Sequence, residues 1–300
     1  MIKDNRLNRL VIAISSRALF NLDESHKIYE KKGVEAYAKY QQKNEDIILE
    51  SGVGFPLVKK LLALNSEKTP IDVILLSRNS IDTGLRVFNS IEKHNLNITK
   101  AAFTRGESTY PYVGAFNADL FLSANSDDVQ KVLKQNYAAA TIISSKTNNN
   151  QTKQLRIAFD GDAVIFSDES EKIFQEHGLK AFEKNEKKAM NKALKAGPFK
   201  PFLYSLQKIQ AAYPEKNNPI KTALVTSRSA PAHKRVIHTM REWGIRIDQA
   251  FFLGDVDKGK FLSEFGADIF FDDQHKHCKS ASKYVATGHV PDGITNKNKN

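Results

Sequence analysis

The sequence predicts an α/β fold in two related halves, each a mostly parallel, Rossmann-like sheet with helical inserts. Three observations predict it. Short continuous apolar runs alternate with helical stretches, the pattern of a sheet covered on both faces. The same phrases recur about 145 residues apart, in the same order. A polar stretch without apolar period, SSKTNNNQTKQ (144–154), separates the two copies.

The elements follow in parallel. RLVIAI (9–14) opens the first half as a strand and LRIAF (155–159) opens the second. Helical stretches come next, roughly 23–44 and 168–192, then about 56–65 and 200–211. The apolar runs IDVILLS (71–77) and KTALVTS (221–227) read as the next strands. A helix then leads to AAFTRG (101–106) or QAFFLG (249–254), and the last run is ADLFLS (118–123) or ADIFFDD (267–273).

The repeat is legible residue by residue. From Ile12 and Ile157, at an offset of 145, Asp23-Glu24-Ser25 meets Asp168-Glu169-Ser170, Gly33 meets Gly178 and Gly52 meets Gly197. Ser77-Arg78 then matches Ser227-Arg228 at 150, and NADLFLSAN (117–125) matches GADIFFDDQ (266–274) at 149. The expected units are residues 1–145, residues 153–290, and a disordered polar tail, 291–300.

Composition bounds the function. Three hundred residues at 41% hydrophobic content make a globular chain of one large or two ordinary domains. No apolar run reaches the roughly 18–20 residues of a membrane helix, and MIKDNRLNRL carries no apolar leader. With a single cysteine, Cys278, this points to a reducing, cytoplasmic setting without membrane partners. Forty-five basic against 34 acidic residues leave a charge of +11, which attracts anions such as nucleotides and phosphates. The lysines are scattered and match no nucleic-acid motif, so nucleic acid is not the expected partner.

In parallel sheets, ligands sit beyond the carboxyl ends of the strands. In the second half those ends carry Asp160-Gly161-Asp162, Thr226-Ser227-Arg228, Asp257-Lys258 and Asp272-Asp273. Clustered carboxylates suit a hard cation, and Mg²⁺ is held by a few protein oxygens plus substrate phosphate. Hydroxyls and a lysine suit phosphate oxygens, and an aspartate beside the metal can attack phosphorus. Each piece alone is weak, since Asp-Gly-Asp is a common turn and an Asp pair can cap a helix. His233, His238, His275 and His277 lack the Cys/His spacing of a zinc site.

Asp-x-Asp, then Thr/Ser, Lys and Asp-Asp, each at a strand end, resembles the haloacid dehalogenase superfamily of phosphohydrolases. The longer phrases FDGDAVIFSDESE, ALVTSRSAPAHKRVIHTMREWGIRIDQAFFLG, DKGKFL and ADIFFDDQ are similar to the cytosolic 5'-nucleotidase type I family, over about residues 7–277. The resemblance implies Mg²⁺-dependent hydrolysis of nucleoside 5'-monophosphates, AMP or a similar purine first. Asp160 is then the nucleophile and Asp162 the acid and base. Asp160, Asp162 (through its carbonyl) and Asp272 or Asp273 hold Mg²⁺. Thr226 and Ser227, with Thr226 leading, and Gly161 bind phosphate, Arg228 either clamps phosphate or solvates a loop, and Lys258, with Lys260 as its competitor, pairs with nucleophile and phosphate. The insert after Asp162 becomes a helical cap, about 168–215, and one of Phe166, Phe174, Phe182, Phe199, Phe202 and Tyr204 stacks on the base. Two alternatives stay open: a phosphatase of another small phosphomonoester, and a non-catalytic nucleotide sensor.

The first half lacks the acids. Ser15 and Arg17 stand for Asp160 and Asp162, and Ala124-Asn125 for the metal pair. It is expected to be a degenerate copy: scaffold, wall of the active site, or an effector site. Arg17, Arg78 and Arg105 at its strand ends form a candidate second anion site, for a nucleotide effector or, if the halves face each other, for the substrate's own phosphate. Self-association into a homo-oligomer is also open.

Overall fold

The computed structural model describes residues 9–143, 152–229 and 232–297. Residues 144–151 of the polar join and 298–300 of the tail lie outside the described residues. The first half runs β1 (Leu10–Ser15), α1 (Ser16–Leu19), α2 (Asp23–Lys43), α3 (Phe55–Leu64), β2 (Ile71–Ser77), α4 (Ile81–Lys93), β3 (Lys100–Phe103), α5 (Tyr110–Ala115), β4 (Leu120–Ser123), α6 (Ser126–Leu133) and β5 (Ala138–Ile143). The second runs β6 (Leu155–Phe159), α7 (Glu169–Lys188), α8 (Lys200–Ala211), a 3-10 turn (Glu215–Asn217), β7 (Ile220–Thr226), α9 (His233–Trp243), β8 (Gln249–Phe252), α10 (Gly259–Phe265), β9 (Ile269–Asp272), α11 (His275–Ala281), β10 (Thr287–His289) and α12 (Ile294–Lys297).

The strands form one ten-stranded sheet in the order β3-β2-β1-β4-β5-β10-β9-β6-β7-β8. Every described pairing is parallel except β5 with β10, where Ile142 faces Gly288 in an antiparallel ladder. The antiparallel seam has a direct consequence. The carboxyl ends of β1–β5 lie along one edge of the sheet and those of β6–β10 along the opposite edge. The central strands are apolar on both faces: Ile12, Ile14, Phe121, Phe159 and Phe271 are buried, as sheets layered between helices require. No helix among the described residues is long and apolar enough to cross a membrane.

Equivalent contacts tie the halves across the seam. Lys60 on α3 donates to Asp268 at 2.6 Å, and Ser205 on α8, 145 residues on, donates to Asp119 at 2.7 Å. Asp119 and Asp268 each also accept a backbone N–H, from Val11 and Arg156, both at 2.8 Å. These bonds offset the cost of burying two carboxylates; burial, the largest influence, still raises both above the usual carboxylate range.

The long helices α2 and α7 share an irregularity. Each is broken by a glycine in a backbone region open only to glycine: Gly33 at φ 78°, ψ −174° and Gly178 at φ 77°, ψ 179°. Few residues of α7 are buried. In contrast α8 buries Phe202, Leu203, Leu206 and Ile209 and packs on β5 and β7. The segment expected as a cap, 168–215, therefore divides into an outlying α7 and a helix that belongs to the sheet layer. Of the tail expected to be disordered, 291–297 is described: Thr295 and Asn296 hydrogen-bond to Asp273 at 2.8 and 2.9 Å, so the polar residues find partners in the protein.

Strand pairing also corrects the repeat. Ile12 pairs with Val73 and Ile157 with Thr222, an offset of 149 on the second strand rather than 150. Ser77 closes β2 as Thr226 closes β7. Each side-chain oxygen accepts the N–H two residues on, at 3.2 Å, and each carbonyl accepts from the neighbouring strand's exit, Thr104 or Leu253. Ser77 therefore stands for Thr226, not Ser227. Likewise Ile12 pairs with Leu120 and Ile157 with Ile269, so Ser123-Ala124, not Ala124-Asn125, stand where Asp272-Asp273 do.

Candidate active site

Strands β9, β6 and β7 lie side by side and parallel, so their carboxyl ends meet at one edge. Asp160 follows β6 directly, its N–H donating to the Phe271 carbonyl at 2.8 Å. Asp272 ends β9 with Asp273 next, Thr226 ends β7, and Lys258 immediately precedes α10. Lys258 is buried and bridges two acids: its Nζ donates to Asp160 Oδ1 at 2.8 Å and to Asp272 Oδ2 at 2.7 Å. Lys260, in contrast, is exposed.

Oxygens of Asp160, Asp272 and Asp273 all lie within 4.8 Å of one another, and all three residues are buried. Burial, then the neighbouring Asp272, lifts the Asp160 carboxyl to about 6 against the pull of Lys258. Burial and the same crowding raise Asp273 well above its ordinary value. At Asp272 burial is outweighed by Lys258 and by His277, whose Nδ1 is 3.4 Å away, and the carboxyl sits at about 2. Three buried carboxylates against one lysine leave excess negative charge in a dry place. A hard divalent cation supplies the missing charge and accepts only oxygen ligands of this kind. The donor set thus fits a hard divalent cation, with oxygens of Asp160, Asp272 and Asp273 close enough together to hold one.

Asp162 lies apart from that cluster, gripped by Arg228. The guanidinium donates through Nε at 2.8 Å and Nη2 at 2.6 Å to the two carboxylate oxygens, and through Nη1 to Glu186 at 2.7 Å. Glu186, on α7, also receives Arg235 at 2.9 Å and the Ser170 hydroxyl at 2.8 Å. Arg235 reaches on to Glu169 at 2.8 Å. A buried chain of charges therefore ties α7 to the loop that carries Asp162. The Arg228 guanidinium, expected at phosphate, spends its described hydrogen bonds on carboxylates. Thr226 is buried and Ser227 exposed. A Cβ added at Gly161 would come within 3.2 Å of the Thr226 hydroxyl, so the chain turns closely over it.

Of the aromatic residues expected near the base, Phe166, Phe199 and Phe202 are core. Tyr204 is exposed on α8, under Lys208. Phe174 and Phe182 remain: they meet edge to face at 6.2 Å on α7, and Phe182 lies against the Arg228 guanidinium. Sequence reasoning missed Glu186, Arg235, Thr295 and Asn296. Glu186 stands in a run of lysines, where a carboxylate reads as a solvated surface charge; only the recurrence of Asp-Glu-Ser at 168–170 hinted at an ordered role for this region.

Arg17, Arg78 and Arg105 line a different cleft, of about 420 Å³, at the carboxyl ends of β1, β2 and β4. It lies at the edge of the sheet opposite Asp160, so these arginines cannot reach a phosphate bound there in the same chain.

Human cytosolic 5'-nucleotidase 1B is 39% identical over 290 residues, which are 92% of this chain and 48% of that protein. The chain therefore spans about half the length of this relative. Among solved structures, one titled "Structure of Pnkp1/Rnl/Hen1 complex" aligns over 94% of this chain and 96% of its own, at 13% identity and a TM-score of 0.34, too low to bear on the fold. The 5'-nucleotidase family model matches residues 2–297, and the chain belongs to that family.

Proposed function

We propose that the protein is a Mg²⁺-dependent phosphomonoester hydrolase that cleaves nucleoside 5'-monophosphates, AMP or a similar purine nucleotide foremost, and that its two halves are copies of one haloacid-dehalogenase-like unit. The observation that carries the activity is the buried Asp160–Lys258–Asp272 chain with Asp273 beside it, at one strand edge of a 5'-nucleotidase family chain. The mirrored strand order and the matched glycine kinks support the duplication. The first half, residues 1–145, is then the copy without acids, and the second, 153–290, the catalytic one.

Asp160 attacks phosphorus in line with the ester oxygen, forming an aspartyl phosphate as the P–O bond to ribose breaks. Asp162 gives the departing oxygen its proton and then takes one from the water that hydrolyses the acyl phosphate, returning Asp160 and releasing phosphate. For this the ester oxygen displaces one branch of the Arg228 fork. Lys258 offsets the charge of nucleophile and phosphate, and the Thr226 hydroxyl with the Gly161 backbone holds the phosphate oxygens. Mg²⁺, held by Asp160, Asp272 and Asp273, supplies charge neutralisation between two anions. Phe174 and Phe182 offer the base a face on the outlying helix α7.

Phosphate release from AMP, other nucleotides and sugar phosphates tests this directly. Release from AMP with Mg²⁺, abolished by EDTA, is expected. No release from any nucleoside monophosphate with Mg²⁺ present defeats the assignment.

A further inference from the structure

The half without acids keeps a cleft where its relative keeps an active site. About 420 Å³ is ample for a small organic ligand. Its floor is the set of strand ends of β1, β2 and β4, and its walls include Arg17, Arg78, Arg105, Tyr29 and Tyr37. We propose that this cleft is a second nucleotide-binding site, which holds its ligand without hydrolysing it.

The aromatic wall is the first support. Tyr29 and Tyr37 on α2 meet edge to face at 6.1 Å and 83°. Phe174 and Phe182 on α7, each 145 residues on, meet at 6.2 Å and 84°. Both pairs straddle the same glycine kink. The tyrosines are pinned further: Tyr37 donates to Asn79 at 2.8 Å and accepts from Gln41 at 3.0 Å. Tyr29, about half exposed and stacked against His26 at 6.1 Å, lines the cleft with its ring within reach of a flat ligand.

The charges are the second. The carboxylates at this cleft are Asp128 and Asp82. Asp128 is taken by Arg78, whose Nε and Nη2 donate to it at 2.9 and 2.6 Å, and by the Ser108 hydroxyl. Arg17 has its nearest carboxylate, Asp23, at 4.0 Å, and Arg105 has no ion-pair partner among the described residues. Arg105, and Arg17 with only that long, exposed contact, can fork onto phosphate, while Arg78 is locked as part of the wall. Aromatic faces beside free guanidiniums suit a ligand with an aromatic ring and a phosphate.

Hydrolysis is excluded by the same residues. Ser15 and Arg17 occupy the places of Asp160 and Asp162, and Ser123-Ala124 those of Asp272-Asp273. At the positions that match Asp160, Asp162, Asp272 and Asp273, no carboxylate remains to attack phosphorus or to gather a cation. The antiparallel seam puts the cleft at the far edge of the sheet, so its ligand is a second molecule and not the other end of the substrate. The choice of a nucleotide rests on the reading of the catalytic half; the existence of an anion site does not.

The test is equilibrium dialysis of labelled AMP against the full chain carrying Asp160→Asn, which stops turnover. Arg17→Ala with Arg105→Ala on that background should weaken one AMP-binding event by about tenfold or more. Asp272→Ala with Asp273→Ala should leave that event in place. Tyr29→Ala should weaken AMP but not inorganic phosphate, and it carries the test alone if the arginine pair fails to fold. AMP binding indifferent to both the arginine pair and Tyr29 overturns the proposal. So does inorganic phosphate competing as well as AMP, which would leave an anion site only. Phosphate release by the wild-type chain is scored separately, so an inactive protein with an intact second site remains distinguishable.

Discussion

Arg228 holds both oxygens of Asp162, at 2.8 and 2.6 Å, while its third donor holds Glu186 on α7 at 2.7 Å. One guanidinium therefore fixes the proposed acid–base group and the outlying helix together. Arg228→Lys keeps the charge but has no planar fork. It should lower kcat on AMP by at least tenfold while the melting temperature falls only a few degrees. Arg228→Ala leaves buried Glu186 with Arg235 as its one cationic partner and should cost about 3–5 kcal/mol of stability. Steady-state kinetics and thermal unfolding of both variants check this; an Arg228→Lys enzyme with wild-type kcat would detach the fork from catalysis.

Asp160→Asn should abolish turnover without loss of fold. Asp160 is buried among like charges, and the resulting rise of its carboxyl to about 6 shows that its ionised form is held at a cost. The neutral amide removes that repulsion, so the metal-free variant should unfold at a temperature no lower than wild type. Residual activity above a few per cent would remove Asp160 as the nucleophile.

Asp162→Asn should cost about 10²–10⁴-fold in rate on AMP, as loss of a general acid does. With p-nitrophenyl phosphate, whose leaving group needs no proton, phosphoenzyme formation should be largely spared and a burst of nitrophenol should remain. Loss of that burst, in step with the loss of rate on AMP, would assign Asp162 another role.

Mg²⁺ should raise the melting temperature of the wild-type chain, since the proposed cluster exists only in the folded state. Asp272→Ala with Asp273→Ala should erase that rise and require far more Mg²⁺ for any activity. An unchanged Mg²⁺ response in this double variant would place the metal elsewhere. Calorimetry and a Mg²⁺ titration of phosphate release separate the two results.

Much of this was legible in the sequence, and the failures have physical causes. Continuous apolar runs gave the strands because a sheet covered on both faces has no polar period to break them. The residues just after those runs gave Asp160, Thr226, Lys258 and Asp272, since parallel strands end together. The repeat was misaligned by one residue at β7 because Ser-Arg recurs as letters, whereas register is set by hydrogen bonds: Ser77 and Thr226 both end strands, and Ser227 does not. The Glu186 network left only the recurrence of Asp-Glu-Ser as a trace, because a charge buried by long-range pairing looks the same in sequence as one in water. The antiparallel seam was equally hidden. It depends on β10, a three-residue strand, Thr287–His289, too short to read.

The glycine kinks give the last prediction, which separates structure from chemistry. Gly33 and Gly178 hold almost the same backbone angles, φ 78° and 77°, and a Cβ added at either would meet nothing within 4 Å. The strain of an alanine there is thus backbone strain alone, on the order of 1–3 kcal/mol. Gly33→Ala and Gly178→Ala should therefore lower the melting temperature by similar amounts. Their kinetics should differ. Gly178 lies between Phe174 and Phe182 on the helix that also carries Glu186, so straightening α7 shifts the proposed base wall and the anchor of Arg228. Gly33 lies at the opposite edge of the sheet. Gly178→Ala should raise KM for AMP severalfold with a smaller effect on p-nitrophenyl phosphate, which has no nucleoside to place. Gly33→Ala should leave both substrates within about twofold, because the proposed reacting groups all belong to the other half. If the two variants change AMP kinetics alike, the kink in α7 has no part in substrate selection.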